Sequence, residues 1–386
     1  MAGLTNIRIN KNVNFSDIEE LAKKLISDKP SKMQIPNRLS HSGGFGIEGA
    51  ALQLFATWLR NSEHHIIHTP IQKKDPDSFN GLCNHLFGLC ALRLSDSVLL
   101  SDKQEVDLVT ALKSAIPIFK ELRAENFKNA FKGMYLTIPS IKATLVKGSH
   151  DREFDNPLYN NNEVVGAQKF HHLTMRALQV IEPNLTDIDS NLITHLSEIL
   201  RELFTNTHRH ARTDVYGNPI SKNFRGLIFN SLTLEKERLD EISKSGGGAL
   251  AKFFAEWLPE ENQKFHAIDI TIVDSGPGFA RRWHKLDKDT LSIEQEKEAI
   301  IECFTKHKST DNADSSGSGL SNFLSDLRSL KGWFRLRTGR TLVEKSFFQG
   351  GGNDVIEKKD IKTREVFMEG ATFNIVIPVK SLRGDK

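Results

Sequence analysis

The chain has 386 residues, a formal net charge of +3 and 38% hydrophobic residues, proportions that fit a globular protein of two domains. No apolar run approaches the ~18 residues of a membrane helix, three cysteines make neither a disulfide framework nor a zinc pattern, and the low charge argues against a general nucleic-acid binder, a local patch aside. The opening residues MAGLTNIRINKNVNFSD lack the apolar stretch of a signal peptide, so a cytoplasmic protein with no membrane attachment is expected.

In chain order, DIEELAKKLISD predicts a charged amphipathic helix capped by Ser16. KMQIP, HSGGFG, IEGAALQLFATWLR and SEHHIIHTP then read as strand, turn, helix and strand. Gly43, Gly44 and Gly46 match neither a P-loop nor a dinucleotide fingerprint, and a plain turn is the reading. His64 and His68 share one face of their strand while His65 points away, and no carboxylate or cysteine cluster completes a metal shell. Residues 78–130 are helical in pattern, with Cys83 and Cys90 in an apolar stretch that buries thiols. GMYLTIPSIKATLV returns to strand-like alternation. DREFDNPLYNNNEVV, near 150–163, is the best linker. Residues 1–155 therefore form an α/β domain suited to sensing or partner binding, and 156–190 a linker and bridging helix. On that helix His171 and His172 are the candidates for a phosphoacceptor, but neither is followed by an acidic residue.

Residues 191–382 carry the chemistry. Along LSEILRELFTNTHRH, Leu196, Ile199, Leu200, Leu203, Phe204 and Thr207 make a core-facing helical stripe, with Leu192 and Ile193 before them. His195, Glu198, Glu202, Asn206 and Arg209 form a narrower polar stripe beside it. Glu202 and Asn206, four apart, set a carboxylate one turn from an amide oxygen; such a pair is either a solvated edge or a site for Mg²⁺ and a proton acceptor. After a strand near 227–232 and helices broken at Ser245-Gly246-Gly247-Gly248, HAIDITIVDSGPGF alternates Ile268, Ile270 and Ile272 with Asp274 on the same parity. An aspartate at the core side of a strand end needs a partner. Ser275-Gly276-Pro277-Gly278 turns tightly, letting a flat ligand approach the backbone. The charged segment from His284 to Ser316 reads as a lid, where Lys306 and Lys308, with Ser309 and Thr310, either meet a γ-phosphate or are solvated. Ser315-Ser316-Gly317-Ser318-Gly319-Leu320 opens the helix LSNFLSDLRSL, offering backbone N–H groups and a positive helix end. Arg335 and Arg337 share a strand face, with Arg340 nearby, open to a partner, a nucleic acid or nothing. Gly370-Ala371-Thr372-Phe373 leads the closing strand.

These four signals, in this order, resemble the GHKL ATP-binding family, the Bergerat fold of DNA gyrase, ninety-kilodalton heat-shock chaperones, histidine kinases, the mismatch-repair protein MutL and anti-sigma kinases. Glu202-x-x-x-Asn206 is similar to its N box, Asp274-x-Gly276-x-Gly278 to its first glycine box, Gly317-x-Gly319-Leu320 to its second, and Gly370-Ala371-Thr372-Phe373 to its closing Gly-Thr strand. The last departs by one residue of spacing. The resemblance implies a two-layer α/β sandwich, a mixed sheet with helices on one face. It implies Mg²⁺ on Asn206, the adenine amino group on Asp274, Thr372 completing the adenine pocket, and phosphates near Ser316, Gly317, Ser318 and Gly319. Glu202 would be the base. The expected activity is an ATPase acting as a nucleotide-driven switch, working with a protein partner or as a homodimer through the N-terminal domain or lid. A serine-directed or histidine-kinase-like kinase and a non-hydrolysing ATP sensor are the alternatives.

Overall fold

A computed structural model describes residues 6–40, 45–131, 133–143, 153–183, 189–244, 248–257, 264–305, 319–348 and 353–382. The architecture is mixed α/β, built on two five-stranded sheets. In the first, strands Asn6–Arg8, Lys32–Gln34, Ile66–His68 and Ser97–Leu99 run parallel in chain order, with Glu105–Val106 antiparallel at the edge. The helix Phe15–Asp28 is capped by Asn14, not Ser16: the Asn14 side chain accepts from Asp17 N, and the Asp17 carboxylate accepts from Asn14 N in return. Two reciprocal bonds satisfy more orphan groups than a lone serine could. The stretch 78–130 is broken by two strands, because SVLL and the following turn residues interrupt its helical periodicity.

The second sheet has the spatial order Trp333–Ser346, Ile361–Pro378, Phe265–Asp274, Asn223–Leu234, Tyr135–Lys142. Every pairing in it is antiparallel, which corrects the expected mixed sheet. Side chains alternate between its faces. Phe334 and Phe373 meet Phe323 of the helix Gly319–Ser329, and Arg225 reaches Tyr159, whose ring meets Phe204 of the helix Ser190–His210. This face therefore lies under a helix layer that also holds Ala167–Ile181.

The opposite face is covered as well, which corrects the expectation of helices on one face. Gly49, on the helix Ile47–Asn61, approaches so closely that a Cβ there would lie 2.5 Å from Thr271 Cγ2 and 2.7 Å from Thr372 Cγ2. A Cβ on Gly226 would lie 2.5 Å from Leu86 of the helix Leu86–Leu94. Twelve of the fifteen residues of Ile47–Asn61 are buried, as a helix enclosed on all sides requires.

The division at residue 155 does not separate two cores. Tyr135–Lys142 is the edge strand of the second sheet, and one apolar cluster includes residues from Ile7 to Val379. The linker segment is partly structured. Tyr159–Asn160 pairs with Glu163–Val164 through Asn161 and Asn162, whose positive φ of 48° and 65° suit a tight hairpin turn. The bridging helix buries Phe170, Leu173, Ala177 and Ile181 in the helix layer.

Two acids lie between the halves. Glu48 Oε1 accepts from Phe87 N (3.0 Å) and the Tyr135 hydroxyl (3.1 Å). Asp269 accepts from Gly46 N and from the amides of Asn230 and Asn374. Burial pushes the Glu48 carboxyl up to about 7 and that of Asp269 up to about 6. Both folded values exceed the unfolded ones, so the native state binds the extra protons: their stability contribution is present at low pH and lost as pH rises through 6 to 7. Urea denaturation should find the protein more stable at pH 5.5 than at pH 8 by on the order of 1–3 kcal/mol from these groups. Glu48→Gln should flatten that difference, and a slope unchanged in the variant would remove Glu48 from the explanation.

Candidate functional site

The site is organised by the strand Phe265–Asp274. Its even positions, Ile268, Ile270, Ile272 and Asp274, face the helix layer, so Asp274 is carried to the end of an apolar row and buried there. The Asp274 Oδ1 accepts from Gly276 N at 2.9 Å. Burial pushes its carboxyl up to about 6, against the pull of the Gly276 and Ala371 N–H groups and the charges of Arg225 and Arg282. Across the sheet at this level stand Ser140, Arg225, Asp274, Ala371 and Thr338.

Arg225 does not neutralise Asp274 by contact. Its Nη1 donates to Glu153 Oε1 (2.8 Å) and its Nη2 to the Tyr159 hydroxyl (2.7 Å), while Arg212 Nε reaches the same Glu153 oxygen at 2.9 Å. Glu153, in the predicted linker, thus anchors a buried ion network beside the candidate site. Its signal in sequence is only an acid two residues before Asp155-Asn156-Pro157, too common to single out.

Thr372 is misplaced by the sequence reading. Asp274 pairs with Ala371, and Val273 with Thr372. Because the side-chain period of a strand is two, the one-residue departure in Gly-Ala-Thr flips the threonine to the other face. There its Oγ1 lies 3.4 Å from Gly49 O, in the contact with Ile47–Asn61. The hydroxyl on the Asp274 side belongs to Thr338, which donates to Gly370 O (3.1 Å) and accepts from Phe279 N (3.2 Å). The parity of Phe373, Ile375 and Ile377 could have shown this in the sequence.

The glycines of the turn serve protein packing. A Cβ on Gly276 would lie 2.5 Å from Ala211 Cα, at the end of the helix Ser190–His210, and one on Gly278, at φ 81°, would lie 2.8 Å from Thr338 Oγ1. Gly370, at φ 77°, passes so near Asp274 that its Cβ would meet the carbonyl oxygen at 2.0 Å. Arg282 completes the seam by donating to His210 O and Thr213 O. The end of the helix Ser190–His210 is therefore fixed against the Asp274 turn.

On that helix Glu202 and Asn206 are half-buried, and neither has a hydrogen-bond or ion-pair partner among the described residues. Leu192 is half-buried and the remaining predicted core residues of this helix are buried. Gly319 and Leu320 begin the helix Gly319–Ser329, with Leu320 packed against the core. Lys306, Lys308, Ser309, Thr310, Ser316, Gly317 and Ser318 lie outside the described residues.

The remaining candidates are engaged internally. Arg335 pairs with Glu344 (2.7 Å), Arg337 with Glu19 (3.0 Å) and Arg340 with Glu296, so the three arginines are spent within the chain. His65 meets Asp96 at 3.2 Å. His171 Nδ1 lies 3.3 Å from Ser197 Oγ. No helix among the described residues is long and apolar enough to cross a membrane. No protein-family model, curated protein or solved structure matches this chain.

Proposed function

We propose that the chain is a Mg-dependent ATP-binding protein of the Bergerat type that hydrolyses ATP as a conformational switch. The observation that carries this reading is the pairing of two unusual placements. Among the described residues, Asp274 is a buried carboxylate fixed by backbone N–H groups with no cation bonded to it, and the helix pinned to its turn carries Glu202 and Asn206, half-buried and with no partner there. A buried carboxylate with a raised pKa, beside a helix that carries a second carboxylate and an amide one turn apart, is the kind of grouping found at functional sites. Asp274 would accept from the adenine amino group.

The Asn206 amide oxygen, a hard donor one turn from a carboxylate, fits Mg²⁺, which takes few protein ligands. Bound there, the ion would offset phosphate charge. Glu202 would accept a proton from water as its oxygen bonds to the γ-phosphorus and the bridging oxygen leaves with ADP. The helix Ile47–Asn61, seated on the far face of the same sheet, gives the N-terminal half a direct contact through which to read sheet movements.

Incubation with γ-labelled ATP and Mg²⁺, following free phosphate and protein-bound label together, tests the reading. Free phosphate is expected, reduced by ~10²-fold or more in Glu202→Ala with nucleotide still bound, the scale of a lost general base. Asn206→Ala should abolish the Mg²⁺-dependent nucleotide binding or turnover. Label on the protein would instead indicate a kinase, and binding without either product a sensor.

A further inference from the structure

The polar stripe of the helix Ser190–His210 continues past Glu202 toward its N-terminal half, and there it meets a second helix. His195 and Glu198, three apart, share that face, and Asp326 of Gly319–Ser329 comes up against them. One nitrogen or carboxylate oxygen from each of the three lies within 4.8 Å of the other two, the single such grouping among the described residues. His195 Nδ1 and Asp326 Oδ1 are hydrogen-bonded at 2.9 Å, so an imidazole nitrogen and a carboxylate oxygen already face one another. Glu198 is exposed and has no hydrogen-bond or ion-pair partner among the described residues. Two carboxylates thus converge on one imidazole. Burial and the Glu198 charge both push the Asp326 carboxyl upward, while the His195 contact pulls it back.

We propose that His195, Glu198 and Asp326 form a divalent transition-metal site that ties the helix Ser190–His210 to the helix Gly319–Ser329. One imidazole nitrogen with two carboxylate oxygens suits zinc or manganese, whereas magnesium and calcium favour all-oxygen shells. A half-open set of three protein ligands leaves positions for water, the arrangement of an exchangeable site. His195 and Asp326 are held by their helices, and the exposed Glu198 carboxylate already lies within 4.8 Å of both. The metal would take the place of the proton that His195 Nδ1 now shares with Asp326 Oδ1, so binding would release that proton.

The site does not depend on the nucleotide reading, although its consequence does. Glu198 is one turn from Glu202 on the same stripe, and Gly319–Ser329 begins at the second glycine box, so a metal clamp would fix the angle between two walls of the proposed nucleotide site.

Isothermal titration of the metal-free full chain with zinc chloride, without nucleotide, tests the site directly. Wild type should take up one zinc that Glu198→Ala and Asp326→Asn each weaken by more than the ~10–100-fold typical of losing a supporting shell residue. With Co²⁺ in place of zinc, the visible absorption band should disappear in His195→Gln. Glu198→Ala changes an exposed helical position and leaves the fold intact by circular dichroism. A wild-type chain that takes up no zinc, or variants that titrate like wild type, would overturn the site while leaving ATP binding to be judged by its own assay.

Discussion

Asp274→Asn is expected to lower ATP affinity by about 1.5–3 kcal/mol, roughly 10- to 100-fold, the worth of a hydrogen bond to a charged group. The geometry explains why an isosteric amide fails. Oδ1 is held by Gly276 N at 2.9 Å, so the variant must keep its oxygen there and turn its NH₂ toward the adenine amino group, donor against donor. Because burial pushes the Asp274 carboxyl up to about 6, its ionised form dominates above that value. Wild-type affinity should therefore be full above about pH 7 and fall as pH drops through 6, while the variant shows no such fall. Fluorescent-nucleotide titrations across pH 5–8 read both effects. The substitution removes a charge that burial disfavours, so loss of binding would not reflect unfolding. Equal affinity in both proteins would place adenine elsewhere.

Glu153→Gln is expected to cost about 3–5 kcal/mol of stability, the scale of breaking a buried pair by removing one partner. Arg225 has a fully buried side chain, and Glu153 is 2% exposed in the same measure. Burial raises the Glu153 carboxyl, but Arg225 and Arg212 overcome it and hold the group below its usual range. Its contribution is accordingly present above the unfolded value and lost as pH falls through the folded one, opposite in sign to that of Glu48. The variant leaves Arg225 with the Tyr159 hydroxyl and more distant oxygens, which cannot offset a buried charge. Chemical denaturation of wild type, Glu153→Gln and Arg212→Lys should rank the last as mild, since Arg212 is 34% exposed and its charge stays. A change below about 1 kcal/mol in Glu153→Gln would show the network to be dispensable.

Several departures from the sequence reading share one cause. Ser16 as a cap, 150–163 as a linker and the boundary at 155 were all read from local composition. Composition carries no record of which strand lies beside which. Glu153 looks like an ordinary loop acid until Arg225 is placed next to it by the pairing of Tyr135–Lys142 with Asn223–Leu234. Arg335, Arg337 and Arg340 look available until Glu344, Glu19 and Glu296 are brought to them, two of those from distant parts of the chain.

By itself the sequence determined the elements whose periodicity is long and unambiguous: the apolar stripe of Ser190–His210 and the alternation that carries Asp274 toward the helix layer. These follow from fixed repeats of 3.6 and 2 residues, which are local properties of the chain. Only the tertiary structure decided that Thr338 stands on the Asp274 side, in register with Ala371, and that the second sheet is antiparallel and enclosed on both faces. It also decided that His195, Glu198 and Asp326 meet. Helix packing brings His195 and Asp326 together across 131 positions of chain, and no local repeat encodes that choice.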